Sequence, residues 1–272
     1  MAARLEALRI QRPRSRERVQ PRWRGILGWA MLGSLAALLT LAATWPAAWV
    51  ASTIAERTSQ RVVLADASGT VWRGTATLAL SGGPESQQAT VLPGRLHWQL
   101  SATALLSGSA MVELTHDTAL PAAVRFTLTP AGWQASAGML TLPAALLQGI
   151  GAPFNTLQPE GRMQISWNPL SGTLGQGIRN GDATVRLDHL ASNLSPIRPL
   201  GSYLARLRWQ DGAGSLSLNT LDGPLLLDGA GTLGRNARFE GTARAAPEAA
   251  TALNGLLSLM GRREGTLTRL RF

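Results

Sequence analysis

Apolar residues follow two rhythms along this chain. Residues 25–54 carry no charged side chain, and 25–50 form a run of 26 residues composed mostly of Leu, Ala, Trp and Gly. A run of that length crosses a bilayer as one helix with some tilt. After it the period shortens to two. Leu96, Trp98 and Leu100 alternate with Arg95, His97 and Gln99, and Val124, Phe126 and Leu128 alternate with Arg125, Thr127 and Thr129. Such alternation belongs to strands with one buried and one wet face. It returns at Met163, Ile165 and Trp167, at Val185 and Leu187, from Tyr203 to Trp209, and at Leu216 and Leu218, with Gly, Pro and Ser marking the turns. The pattern predicts a mainly β domain of about ten to twelve short strands, in one extended antiparallel sheet or an open barrel-like wrap.

Two helices interrupt that pattern. The clearer one opens at Pro247 with Glu248 in its first turn, places Leu253, Leu256, Leu257 and Met260 at helical spacing, and stops at Gly261 before Arg262 and Arg263. Proline at the start, acid early, and glycine with arginine at the end are concordant boundary signals. A shorter helix is predicted from Pro143 to about Ile150. Both are expected to plug the ends of the sheet or cover one face. An echo between Gly94-Arg95-Leu96-His97-Trp98 and Gly161-Arg162-Met163-Gln164-Ile165 suggests two β subregions that meet near Pro153.

Charge then orients the chain. The formal net charge is +10, but residues 1–24 alone hold eight Arg against Glu6 and Glu17. The apolar run therefore separates an Arg-rich segment, 1–24, from a mildly basic domain, 51–272, with the anchor at 25–50 between them. The positive-inside rule places the N-terminus in the cytoplasm and the large domain in the periplasm of a Gram-negative type of cell, tethered to the inner membrane. Trp23 and Trp29 near one end of the run, and Trp45 and Trp49 near the other, suit the two headgroup layers. A cleaved signal peptide has a shorter apolar region ending in a small-x-small site, and this run is longer with no clean site. Ala36, Thr40, Thr44 and Ala48 recur every four residues. They form either a stripe on which another transmembrane helix packs closely or a chance product of an Ala-rich anchor.

Composition narrows the chemistry. All 26 basic residues are Arg and Cys is absent, so lysine Schiff bases, P-loops, thiolate nucleophiles and Cys-ligated zinc are excluded. Gly229-Ala230-Gly231-Thr232-Leu233-Gly234 fits the dinucleotide fingerprint, but another alternating stretch follows it where a helix is required. It reads as glycines at a hairpin or bulge. His97, His116 and His189 have no helical metal spacing and read as solvated surface residues. The domain's Arg residues are scattered along strands, unlike a nucleic-acid reader. No catalytic set, cofactor, nucleic acid or small-molecule substrate is expected.

The first strand after the anchor reads Ser68-Gly69-Thr70-Val71-Trp72-Arg73-Gly74-Thr75-Ala76. With the Gly-Arg strand ending at Trp98, the segments Leu194-Ser195-Pro196 and Leu200-Gly201-Ser202-Tyr203, the run Asp222-Gly223-Pro224-Leu225-Leu226-Leu227-Asp228-Gly229-Ala230-Gly231, and the closing helix, it resembles protein N of the bacterial type II secretion system. The resemblance lies in the order of these features over essentially the whole chain. It implies a non-catalytic, inner-membrane accessory or scaffold component that supports export of folded proteins across the outer membrane and contacts other inner-membrane subunits and membrane lipid. Trp72, Arg73 and Gly74 are the candidate partner contacts, the alternative being that Trp72 is simply a core anchor. The Gly-Thr-x-Trp-x-Gly stretch also opens strands in AsmA-like envelope proteins, which handle lipid. That alternative requires a concave face that is continuously apolar and not filled by side chains, and here the two helices are expected to fill it.

Overall fold

The computed structural model describes residues 23–81, 89–150, 154–234 and 236–271. The Arg-rich segment expected over 1–24 lies outside the described residues except at its last two positions. The first element among the described residues is a helix, Trp23–Ala43, and the chain divides after it, Thr44–Phe272 forming a separate unit. Among the described residues, no helix is long and apolar enough to cross a membrane.

The helical part of the expected anchor does not run unbroken to Val50. It stops at Ala43, and a second helix, Ala47–Arg57, starts behind Pro46, whose φ of −70° and ψ of 144° are extended. Proline lacks the N–H that a continuing helix needs and pushes the residue before it out of helical geometry, so one apolar run yields two helices. Ala47, Val50, Ala51 and Ile54 of the second helix recur at helical spacing and pack on Leu64, Ala76 and Trp98.

Among the described residues, seventeen strands form a single sheet in which every pairing is antiparallel. The number exceeds ten to twelve because changes of pairing partner cut long alternating stretches into pieces. Gly132–Ala135 and Gly138–Pro143 are separated only by Ser136 and Ala137, and Pro159–Trp167 and Leu170–Thr173 only by Asn168 and Pro169. Ahead of the interruption, Gly132–Ala135 pairs with Leu120–Thr129 and with Leu170–Thr173. After it, Gly138–Pro143 pairs with Pro159–Trp167 instead. The 16-residue strand Gly177–Ser192 joins the halves, pairing through 177–180 with Leu170–Thr173 and through 183–192 with Pro159–Trp167. From its other edge the sheet continues through Gly201–Gln210, Ala213–Asp222, Leu225–Leu233, Arg238–Ala245 and Leu267–Arg271, ending at Arg262–Glu264.

Tryptophans stand opposite glycines across the sheet. Gly74 pairs with Trp98 and Gly138 with Trp167, and a Cβ at either glycine would lie 2.2 or 2.4 Å from the facing indole. The Trp98 indole N–H donates to the Val71 carbonyl at 3.1 Å, and that of Trp167 to the Ser136 carbonyl at 2.8 Å. Each ring therefore lies flat over its glycine with its polar atom satisfied. The two echo segments lead into these tryptophans. Gly94, two residues ahead of Leu96–Ser101, and Gly161, the third residue of Pro159–Trp167, have φ of 103° and 128°, a region that glycine adopts without steric cost.

Three apolar clusters line the inner face, each with its own helix. Beyond the helix Ala47–Arg57, the 3₁₀ helix Ala144–Ile150 brings Leu147 onto Leu92, Ala119, Leu142 and Met163. The helix Ala250–Met260 brings Leu253, Leu256 and Leu257 onto Leu225, Ala243 and Leu270. Its predicted limits hold. A 3₁₀ turn, Pro247–Ala249, leads in, and Gly261 follows Met260.

Candidate functional site

The motif at 68–76 folds as a hairpin. Gly69 and Gly74 face each other across it, and Gly69 has φ of 94° with its Cβ position 2.5 Å from the Arg73 carbonyl, so only glycine closes the turn at this distance. The Thr70 N–H donates to the Arg73 carbonyl at 2.9 Å. Its tip then holds the chain ahead of the second helix: the Val71 N–H donates to the Trp45 carbonyl at 2.9 Å, and Thr70 forms an antiparallel bridge with Pro46. Of the three expected contact residues, Arg73 is exposed and Trp72 half-buried, its carbonyl accepting from the Leu100 N–H at 2.7 Å. Gly74 is buried beneath Trp98 and offers no surface to a partner.

The four-residue stripe is divided. Ala36 and Thr40 lie on the first helix, where the Thr40 hydroxyl donates to the Ala36 carbonyl at 2.9 Å. Thr44 lies in the turn after Ala43, and Ala48 sits exposed on the second helix, so the four do not form one helical face.

The histidines differ from one another. His189 is exposed at an irregularity of the long strand, with φ of 51°. His97, on the strand Leu96–Ser101, faces Asp117, in the turn after Ala110–His116, at 3.0 Å, and the Asp117 carboxylate also accepts the Arg95 N–H at 2.8 Å. Those contacts hold the Asp117 carboxyl below the usual carboxylate range, the Arg95 N–H first among them. His116 is a correction to the surface reading. It is buried, its Nδ1 accepts from the Thr118 and Ala119 N–H groups at 3.2 and 3.1 Å, and burial lowers its pKa. The dinucleotide-like glycines are also relocated. Gly229 and Gly231 lie inside the strand Leu225–Leu233, where the Phe239 ring approaches the Gly229 Cβ position to 2.5 Å, and only Gly234 occupies the turn.

Two of the concavities among the described residues bear on function. One, of about 660 Å³, opens on the outward face among Asp228, Glu240, Arg269 and Arg271. Its charges are engaged: Arg271 lies 3.5 Å from Glu240, Arg269 lies 3.3 Å from Glu264, and the Asn219 amide donates to Asp228 at 2.9 Å. The other, of about 470 Å³, lies on the inner face and is bounded by seven strands and the closing helix. Leu187, Leu207, Leu216 and Leu227 pave it, and Leu147 and Leu256 stand at its borders. The helices thus border the hollow rather than fill it. Tyr203 sits at its base, with its hydroxyl donating to the Leu225 carbonyl at 2.9 Å and burial pushing its pKa up. The hollow is the feature that residue-by-residue reading missed. Its signal was present as one apolar parity, 203, 205 and 207 beside 216 and 218 beside 225 and 227, repeated over more strands than one helix can cover.

These features define a mainly β protein built on one open antiparallel sheet, with paired charges outside and an apolar hollow inside. The sequence model of the family described as type II secretion system (T2SS), protein N matches residues 60–269, from just ahead of the first strand to the last. The chain belongs to that family, which makes it a type II secretion component and points to the cell envelope and to other components of that system as its setting. No curated protein and no solved structure matches the chain.

Proposed function

We infer that this protein is an inner-membrane accessory subunit of the type II secretion system that works by contact, as a scaffold supporting export of folded proteins. The observation that carries this reading is the extent of the family match, which takes in the sheet up to residue 269 of its last strand. The uncharged stretch 25–54 behind eight Arg supports a single-pass topology with residues 1–24 in the cytoplasm, an anchor within 25–50 and the sheet in the periplasm. The exposed Arg73, beside Trp72 on the first hairpin, is the contact residue this reading favours. Arginine and tryptophan are the side chains that most often carry interface energy. Ala36 and Thr40 remain the part of the stripe available to another helix. No catalytic step or cofactor enters this function.

Two measurements test the reading. A strain lacking the gene should show reduced export of a folded exoprotein, restored by the wild type but only in part by Arg73→Glu, and the other inner-membrane subunits should co-purify with the wild type. Normal export in the null strain with no co-purifying subunit would overturn the role. For topology, a periplasm-only reporter fused after Phe272 should be active, and recovery of a soluble periplasmic form beginning near Ala51 would overturn the anchor.

A further inference from the structure

The turn between the strands Ala110–His116 and Leu120–Thr129 is held from within by a side chain that can change its charge. His116 is 5% exposed, and its Nδ1 accepts from the Thr118 N–H at 3.2 Å and from the Ala119 N–H at 3.1 Å. A neutral imidazole has one accepting nitrogen. These contacts therefore put the ring's proton on Nε2, for which no described residue is a hydrogen-bond partner. A second proton turns Nδ1 into a donor. It then points at two backbone N–H groups, and both of them lose their acceptor in a buried place.

The rest of the turn is tied by bonds that do not depend on the charge of His116. At one end the Asp117 carboxylate accepts from the Arg95 N–H at 2.8 Å and lies 3.0 Å from His97, and the Asp117 N–H donates to the Arg95 carbonyl at 3.2 Å. A charged His97 still donates to that carboxylate, so acid leaves Asp117 in place. At the other end Ala119 is 2% exposed in the cluster of Leu92, Leu142, Leu147 and Met163, and its carbonyl accepts from the Thr141 N–H at 2.9 Å. Thr141 lies on Gly138–Pro143, which pairs with Pro159–Trp167, so Ala119 joins the early hairpins to the second half of the sheet.

The groups around His116 set the sign of its response. Burial, the largest influence, opposes the proton; Asp117 favours it, and His97 opposes it. The Arg95 guanidinium is held by the Thr75 hydroxyl at 2.8 Å and the Asp66 carbonyl at 3.0 Å. Leu96 and Leu120, which pair with His116 across the strands, and Gly94, against its Cε1, carry no charge.

We propose that this turn is an acid-operated latch: protonation of His116 frees the Thr118 and Ala119 N–H groups, and the segment swings about Asp117, taking Ala119 off Thr141 and out of the apolar cluster. The closed form binds one proton fewer than the open form. The latch is therefore shut at neutral pH and opens as pH falls.

The test is amide hydrogen exchange of the full-length protein in detergent at pH 7.5 and pH 5.0, read by mass spectrometry and corrected for the intrinsic pH dependence of exchange. Peptides covering 116–121 and Thr141 should exchange about tenfold faster at pH 5.0. The distant strand Ala213–Asp222 should stay protected over the same period, which separates a local opening from global unfolding. His116→Asn, whose side-chain carbonyl can accept the same two N–H groups without titrating, should exchange equally at both pH values. His97→Asn should keep the acid response. If His116→Asn lowers the urea midpoint, the wild type supplies the second reading by nitrogen NMR of protein labelled at histidine. Its His116 Nδ1 should be unprotonated at pH 7.5, and it should gain its proton over the pH range in which exchange at 116–121 accelerates. Exchange at 116–121 that does not change with pH in the wild type, or protonation of His116 without that acceleration, would overturn the proposal. So would an equal acid response in His116→Asn, or loss of protection in Ala213–Asp222 together with the turn.

Discussion

The two ends of the sheet are each covered by a helix of 11 residues, Ala47–Arg57 at one and Ala250–Met260 at the other, yet one end is closed and the other hollow. At the first end the helix meets Ala76, Leu64 and Trp98, and the large indole, lying over Gly74, occupies the remaining space. At the second end seven strands share the inner face. At the usual strand spacing they span about 29 Å, nearly three times the width of a helix. A single helix with leucines at Leu253, Leu256 and Leu257 covers part of that width and leaves a concavity beside it. The difference lies in the ratio of sheet width to cover. Side-chain hydrophobicity, high at both ends, does not account for it.

The largest expected effect breaks the covered part of the hollow end. Leu253 is fully buried, and Leu253→Asp should cost on the order of 4 kcal/mol, through a carboxylate with no partner among Leu225, Ala243 and Leu270. Urea unfolding of the full-length protein followed by tryptophan fluorescence should show the transition at a lower midpoint or lost. Leu259→Asp on the same helix, at a position 59% exposed, should stay within about 0.5 kcal/mol of the wild type. Equal effects at the two positions would mean that the helix does not pack as described.

At the closed end the prediction is overpacking. Gly74→Ala places a methyl 2.2 Å from the Trp98 ring and should cost about 1–3 kcal/mol. A neutral Gly74→Ala would show that Trp98 can move aside, and the contrast between the two ends would lose its basis.

A smaller effect depends on pH and belongs to the corner beside the closed end. Burial holds the His116 pKa below its usual 6.5, with Asp117 opposing and the neighbouring His97 adding to the depression. The unfolded chain therefore takes up the proton first as pH falls. The stability that His116 confers is complete above about 6.5 and declines as pH drops from there through the folded value. Urea midpoints measured from pH 7.5 to 5 should fall. His116→Asn, whose side-chain carbonyl can accept the Thr118 and Ala119 N–H groups, should flatten the slope. The same decline in the variant would place the titration elsewhere.

The smallest effect has the opposite sign. Gly255 lies on the outer side of the closing helix with nothing within 4 Å of its Cβ position, so Gly255→Ala should stabilise by about 0.5–1 kcal/mol. A loss of stability there would reveal a neighbour that the helix is not described as having.

The features legible in the sequence were those set by near neighbours along the chain. The closing helix could be bounded because Pro247, Glu248 and Gly261 each act within one turn, and the strands could be recognised because alternation is local. The second helix was hidden because Pro46 ends one helix and starts the next within one apolar run, and hydropathy cannot separate the two. The surplus strands come from changes of pairing partner at Ser136 and Asn168, which local alternation does not record. Gly74 looked like a surface position because nothing near it announces that Trp98 lies across it. His116 looked exposed for a similar reason: the Thr118 and Ala119 N–H groups that hold it depend on how its hairpin corner closes. The hollow was the least legible feature, since it depends on how many strands share one face, and no single stretch of sequence records that number.

The clasp between the first hairpin and the segment ahead of the second helix has a mechanical meaning. The Trp45 carbonyl is tied to Val71, and Pro46 is bridged to Thr70, before the helix begins. Tension applied at Thr44 therefore reaches the sheet directly, through a hydrogen bond at the turn of its first hairpin, and need not pass along the helix. The hairpin works as a strain relief, of the kind that fixes a cable to its housing. A tug on the chain at Thr44 loads Thr70 and Val71, at the turn of the first hairpin, ahead of the helix.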